Sequence, residues 1–129
     1  MPFYQFTVPT DSPSAELKAD IAAAVTEVHT SVTGAPESYV NVSFTEVPPG
    51  SIFVAGKAVP YGRMVGIIRT GRTPETKREL ISRLAAAWSK VTGEPVEGFA
   101  LFLQEVPGSA VMEEGQILPE ASEDFLTNR

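Results

Sequence analysis

An internal repeat constrains this chain more than any other feature. Val32-Thr33-Gly34-Ala35-Pro36 returns as Val91-Thr92-Gly93-Glu94-Pro95, 59 residues later. Glu46-Val47-Pro48 returns as Glu105-Val106-Pro107 at the same spacing of 59, with no gap between. Glu16 and Lys18 are matched in the same way by Glu75 and Lys77. Self-similarity at a fixed spacing marks one supersecondary unit used twice. A chain of 129 residues holds two such units in a single domain, residues 1–129. The units span about residues 2–50 and 61–108, and an acidic tail, residues 109–129, follows.

Each unit reads as strand, helix, strand. Phe3 to Val8 is rich in aromatic and β-branched residues and ends at Pro9, which predicts a strand. Asp11-Ser12-Pro13-Ser14 supplies cap residues and a proline for a first helical turn. Leu17, Ile21, Val25 and Val28 then fall on one stripe, and Gly34 is placed as the stop. Tyr39 to Phe44 is the second strand. In the second unit Met64 to Ile68 and Phe99 to Leu103 are the strands. Between them Thr73-Pro74-Glu75 opens a helix with Leu80, Ile81, Leu84, Trp88 and Val91 inward, closed by Gly93. A short hairpin is expected in the linker near Gly56 to Gly62.

A helix that connects two strands of one sheet makes them parallel. Two tandem β-α-β units therefore predict an α+β fold: a four-stranded mixed sheet with both helices on one face. The other face still needs cover, which predicts an oligomer packing there.

Composition removes several classes of function. The net charge of −6 gives no basic field for nucleic acid. There is no cysteine, hence no disulfide, thiol nucleophile or thiolate metal site, and a lone histidine makes a structural zinc improbable. No cofactor motif is present. The start lacks the basic and apolar regions of a signal peptide, and no run of 18 apolar residues exists, so a cytoplasmic protein without a membrane span is expected.

Pro2 is a candidate for chemistry. A small second residue allows removal of Met1, and the free terminus would be the secondary amine of proline. An α-amino group titrates near neutrality, about 7.7–8.0, so it serves as general acid or base. Equally, Pro2 is a stiff start to a strand. Arg69 and Arg72 flank Gly71 at a strand-to-helix junction. Such a pair suits one carboxylate, held bidentately and helped by the helix amino terminus, or else two solvated cations. His29 lies eight residues after Ile21, near the apolar stripe, as a core histidine or a ligand. Its repeat partner is Trp88, and that of Pro2 is Tyr61, so each chain supplies one terminal amine.

A duplicated β-α-β chain that begins with proline after Met1 resembles the tautomerase superfamily, and within it the group of cis-3-chloroacrylic acid dehalogenase and its homologues. The resemblance runs from about Pro2 to Glu120. It rests on Pro2, on His29 at the end of the first helix, on Ile68-Arg69-Thr70-Gly71-Arg72, and on Val111-Met112-Glu113-Glu114-Gly115 with Leu118-Pro119. It implies Pro2 as the catalytic amine, with His29, Arg69 and Arg72 holding a small carboxylate substrate. Glu113 matches the water-activating carboxylate. Phe102 replaces a tyrosine, so the site is expected to keep proton transfer and to lack the hydroxyl that helps position water. The resemblance further implies a homotrimer and a cofactor-independent tautomerase or isomerase of a 2-oxo or enol acid. Hydration or dehalogenation of short unsaturated or 3-halo acids, and a non-catalytic binding module, are the alternatives.

Overall fold

The computed structural model describes residues 1–121. Strand β1 (Phe3–Pro9), helices α1 (Pro13–Glu16) and α2 (Lys18–Thr33) and strand β2 (Asn41–Val47) form the first unit. A hairpin of β3 (Phe53–Val54) and β4 (Lys57–Ala58) follows. The second unit is β5 (Arg63–Arg69), α3 (Pro74–Thr92) and β6 (Ala100–Val106), followed by a second hairpin, β7 (Met112–Glu113) and β8 (Gln116–Ile117). The main sheet has the order β2-β1-β5-β6. β1 is parallel to β2, β5 is parallel to β6, and the two central strands are antiparallel. This is the expected mixed α+β sheet.

Local chemistry sets the ends of each helix. Ser12 caps α1 by accepting the Ala15 N–H at 3.2 Å, with Pro13 next in the first turn. Thr73 caps α3 by accepting the Thr76 N–H at 3.1 Å, with Pro74 next. Gly34 and Gly93 end α2 and α3 at φ of 76° and 75°, the left-handed region that glycine enters without strain. Leu17, at φ −114° and ψ 34°, splits the expected first helix into α1 and α2.

The core lies between the sheet and the helices. Tyr4, Phe6 and Val8 alternate inward from β1, as do Met64 and Ile68 from β5. They meet Ile21, Val25 and Val28 of α2 and Leu80, Leu84 and Trp88 of α3. Ile81, expected inward, is instead exposed, because the buried stripe of α3 runs through Leu80, Leu84 and Trp88. The repeat is visible in the ion pairs as well: Lys18 with Glu46, and Lys77 with Glu105 at 2.8 Å.

Pairing reveals a one-residue phase shift that the ungapped alignment hides. Phe3 pairs with Asn41, and Arg63 pairs with Ala100. β2 and β6 thus match at a spacing of 59, but β1 and β5 match at 60. Pro2 is therefore matched by Gly62, not by Tyr61. The hairpin of the linker is at Phe53–Ala58, earlier than expected. Its counterpart at 59 residues is Met112–Ile117, inside the segment expected as a tail. Both hairpins turn through two residues at positive φ, Ala55-Gly56 and Glu114-Gly115. Among the described residues, no helix is long and apolar enough to cross a membrane.

Candidate active site

The parallel pairing of β1 with β2 brings residue 2 beside residue 41. The Asn41 N–H donates to the Pro2 carbonyl at 3.0 Å. The Asn41 side-chain amide donates to Glu113 Oε2 at 3.1 Å, to the Tyr39 carbonyl at 3.2 Å and to the Pro2 carbonyl at 3.3 Å. The Met1 ammonium donates to the Tyr39 carbonyl at 2.9 Å and forms an ion pair with Glu113. The ring of Pro2 is buried. A cavity of about 230 Å³ adjoins this cluster, lined by Ser38, Tyr39, Asn41, Glu113 and Glu114. Glu113 arrives on β7, so the second hairpin supplies the carboxylate at the amino terminus.

His29 stands in the last full turn of α2, buried at 3% exposure. Its Nδ1 lies 2.7 Å from the hydroxyl of Tyr4, which is fully buried on β1. Burial is the main force on the imidazole, followed by the positive charges of Arg72, the amino terminus and Arg69. Together they push its pKa down to about 3, so His29 is neutral at pH 7. Burial likewise pushes the Tyr4 hydroxyl above its ordinary value, with Arg72 opposing, so it keeps its proton.

Arg69 ends β5 and is buried at 4% exposure; its Nη1 donates to the Pro119 carbonyl at 2.7 Å. Phe3 pairs with Ile67, so continuing the antiparallel register brings Arg69 level with Met1. Arg72 is half-buried at the turn into α3. Its charge acts on both His29 and Tyr4. Thus the fold gathers Pro2, His29, Arg69, Arg72 and Glu113 at one end of the central strands.

Phe102 stands apart. It pairs with Val65, which pairs with Gln5, and these three lie in one row on the sheet face away from the helices. Its ring is 57% exposed there. Strand alternation separates that face from the one that carries Tyr4 and His29. Within one chain Phe102 therefore does not join the cluster. Tyr4, Tyr39 and Asn41 do, although sequence reading passed over them. The period of two along β1 could have found Tyr4, two residues after Pro2. The partners of Asn41 depend on pairing and left no local signal.

The second unit fills the equivalent place. Trp88 stands where the first unit has His29, stacked on Phe99 at 3.8 Å between ring centroids. A Cβ at Gly62 would come within 2.8 Å of the Thr7 carbonyl and 3.3 Å of the Trp88 ring. The Trp88 indole N–H donates to Ser14 Oγ at 2.8 Å, and Ser14 donates to Glu94 at 2.5 Å. A larger cavity, about 620 Å³, opens beside Tyr61 and Glu94, but none of its lining residues is Arg, Lys or His. It is larger than the cavity beside Glu113 but brings no cationic side chain to a carboxylate. Among the described residues, no three His, Cys, Asp or Glu side chains are grouped to hold a metal ion.

Comparison with known proteins bears on the family and the fold. The Tautomerase_3 family model, described as "Putative oxalocrotonate tautomerase enzyme", matches residues 1–125. The structure of N1, a member of the cis-3-chloroacrylic acid dehalogenase family, is similar with a TM-score of 0.90 at 27% identity, over 97% of this chain and 89% of that one. Pt0534, solved after inactivation by 2-oxo-3-pentynoate, is similar at 0.81 and 26% identity, over 90% and 95% of the two chains. The F6 fused 4-OT asymmetric trimer shares the fold at 0.81 and 23% identity, over 89% and 94%. No curated protein matches. With nearly the whole sequence covered by one family model, the chain belongs to the tautomerase family.

Proposed function

We propose that this chain is a cofactor-independent tautomerase that moves a proton on a small 2-oxo or enol carboxylic acid. One observation carries the reading: the amino terminus meets a carboxylate, Glu113, at the end of the sheet where Arg69 and Arg72 act on His29. With Met1 removed, the Pro2 amine takes a proton from the enol oxygen or a carbon and returns it to another carbon. Arg69 and Arg72 hold the carboxylate, and neutral His29 donates to the developing enolate oxygen. Glu113 stabilises the protonated amine and raises its pKa. On the sheet face away from the helices Val65 and Phe102 are each at least 36% exposed, which supports a homotrimer that covers them.

Hydration or dehalogenation of a short unsaturated acid has Glu113 in its favour, since a carboxylate beside the amine would activate water. Phe102, without a hydroxyl, counts against it.

Intact mass establishes whether Met1 is gone. Ketonisation of a 2-hydroxy-dienoic acid is then followed for wild type and Pro2→Ala. We expect a loss of about 100-fold or more, the scale of general acid–base catalysis. Incubation with 2-oxo-3-pentynoate should label Pro2. Equal rates in the two proteins refute the reading, and no turnover by either leaves a non-catalytic module. Product from a 3-haloacrylate that is abolished by Glu113→Gln favours the hydratase instead.

A further inference from the structure

We propose that Tyr4 is a positioning residue that fixes His29 as the Nε2–H tautomer, so that a neutral imidazole presents one N–H to a substrate oxygen. The catalytic use of that N–H rests on the reading above; the tautomer itself does not.

The argument is one of hydrogen-bond accounting. The Tyr4 hydroxyl is fully buried, and its one protein partner among the described residues is His29 Nδ1, at 2.7 Å. If Nδ1 carried the proton and donated to the tyrosine oxygen, the hydroxyl hydrogen would be buried without an acceptor. Leaving a buried donor unsatisfied costs about 1–3 kcal/mol. The hydroxyl therefore donates to Nδ1, and the ring proton sits on Nε2. No buried side-chain nitrogen or oxygen of the described residues lacks a partner. Nε2 makes no hydrogen bond to them and is not one of the fully enclosed atoms, so it is the edge left for a ligand. The groups whose charges act on the ring are Arg72, the amino terminus and Arg69, all cationic. None of them accepts a proton from Nε2, and all of them oppose a positive ring. A neutral donor suits this place: it polarises a carbonyl beside two arginines without adding a third repelling cation. The rings of Tyr4 and His29 also meet edge-on, with centroids 5.6 Å apart, which limits rotation of the imidazole.

His29 is the single histidine of the chain, which makes the claim readable in one spectrum. Protein with ¹⁵N-labelled histidine is examined by two-bond ¹H–¹⁵N correlation across a pH series. We expect one unprotonated nitrogen at Nδ1 and one protonated nitrogen at Nε2. Tyr4→Phe keeps the ring and removes the donor. It should give a mixture of tautomers, a higher imidazole pKa, and a kcat lower by about tenfold with little change in KM, in line with the loss of a partner that orients a ligand imidazole. An Nδ1–H imidazole in the wild type overturns the proposal, and this needs no variant to fold. So does a Tyr4→Phe spectrum identical to the wild type. A wild type with the Nε2–H tautomer and no ketonisation activity would refute the tautomerase reading while supporting the role of Tyr4 in fixing the ring.

Discussion

Burial of a neutral histidine makes the stability of this protein depend on pH in a narrow and recognisable window. His29 has a pKa near 6.5 when unfolded and about 3 when folded. The folded value is the lower one, so the stabilisation is fully present above about pH 6.5 and is lost as the pH falls toward 3. Below 6.5 the unfolded chain binds a proton that the folded chain refuses. Unfolding free energy then falls by about 1.4 kcal/mol per pH unit for this one site. From about pH 7.5 to pH 5 the loss is about 2 kcal/mol, and the whole window is worth about 5 kcal/mol. Glu46, whose pKa is held low mainly by Lys18, loses its contribution only as the pH falls below its ordinary value of 4.5. The assay is urea denaturation at fixed protein concentration, since association shifts apparent stability by mass action. His29→Gln should be nearly flat over the same range. A wild type with constant stability from pH 7.5 to 5, or a variant with the same slope, refutes the buried neutral imidazole.

Two further outcomes test the packing that holds the site. Gly66→Ala would place a Cβ 2.7 Å from the Tyr4 ring and 2.8 Å from Leu103, so we expect a loss of about 1–3 kcal/mol in denaturant and a shifted His29 ¹⁵N signal; an unchanged midpoint would show that the ring moves freely. Trp88→Ala should cost about 3–5 kcal/mol, because it empties the second unit and strips Phe99 and Ser14 of their partner. The activity of the remaining folded protein should persist, since the site groups stand at the other end of the central strands, and a selective loss of activity with stability intact would contradict that separation.

The duplicated framework was legible because its signals are local. Caps at Ser12 and Thr73, left-handed glycines at positions 34 and 93, and alternation along β1 and β5 each act within a few residues. Arg69 and Arg72 were legible for a similar reason: a strand-to-helix turn displays its side chains at one place. The hairpin that carries Glu113 as a strand residue was not legible. Its strands are two residues long, too short for a period, and its turn of Glu114-Gly115 is a weak signal. Ile81 fits a helical stripe on paper, but the width of the buried face of α3 was set by the sheet beneath it.

By itself, the sequence determined two β-α-β units and the ends of their helices. Only the tertiary structure decided that Pro2 answers to Gly62, that Phe102 faces away from His29, and that Tyr4 and Asn41 belong to the site. Dihedral preference and side-chain period are properties of neighbouring residues. Strand register is a long-range choice, and a shift of one residue sends every side chain of a strand to the opposite face.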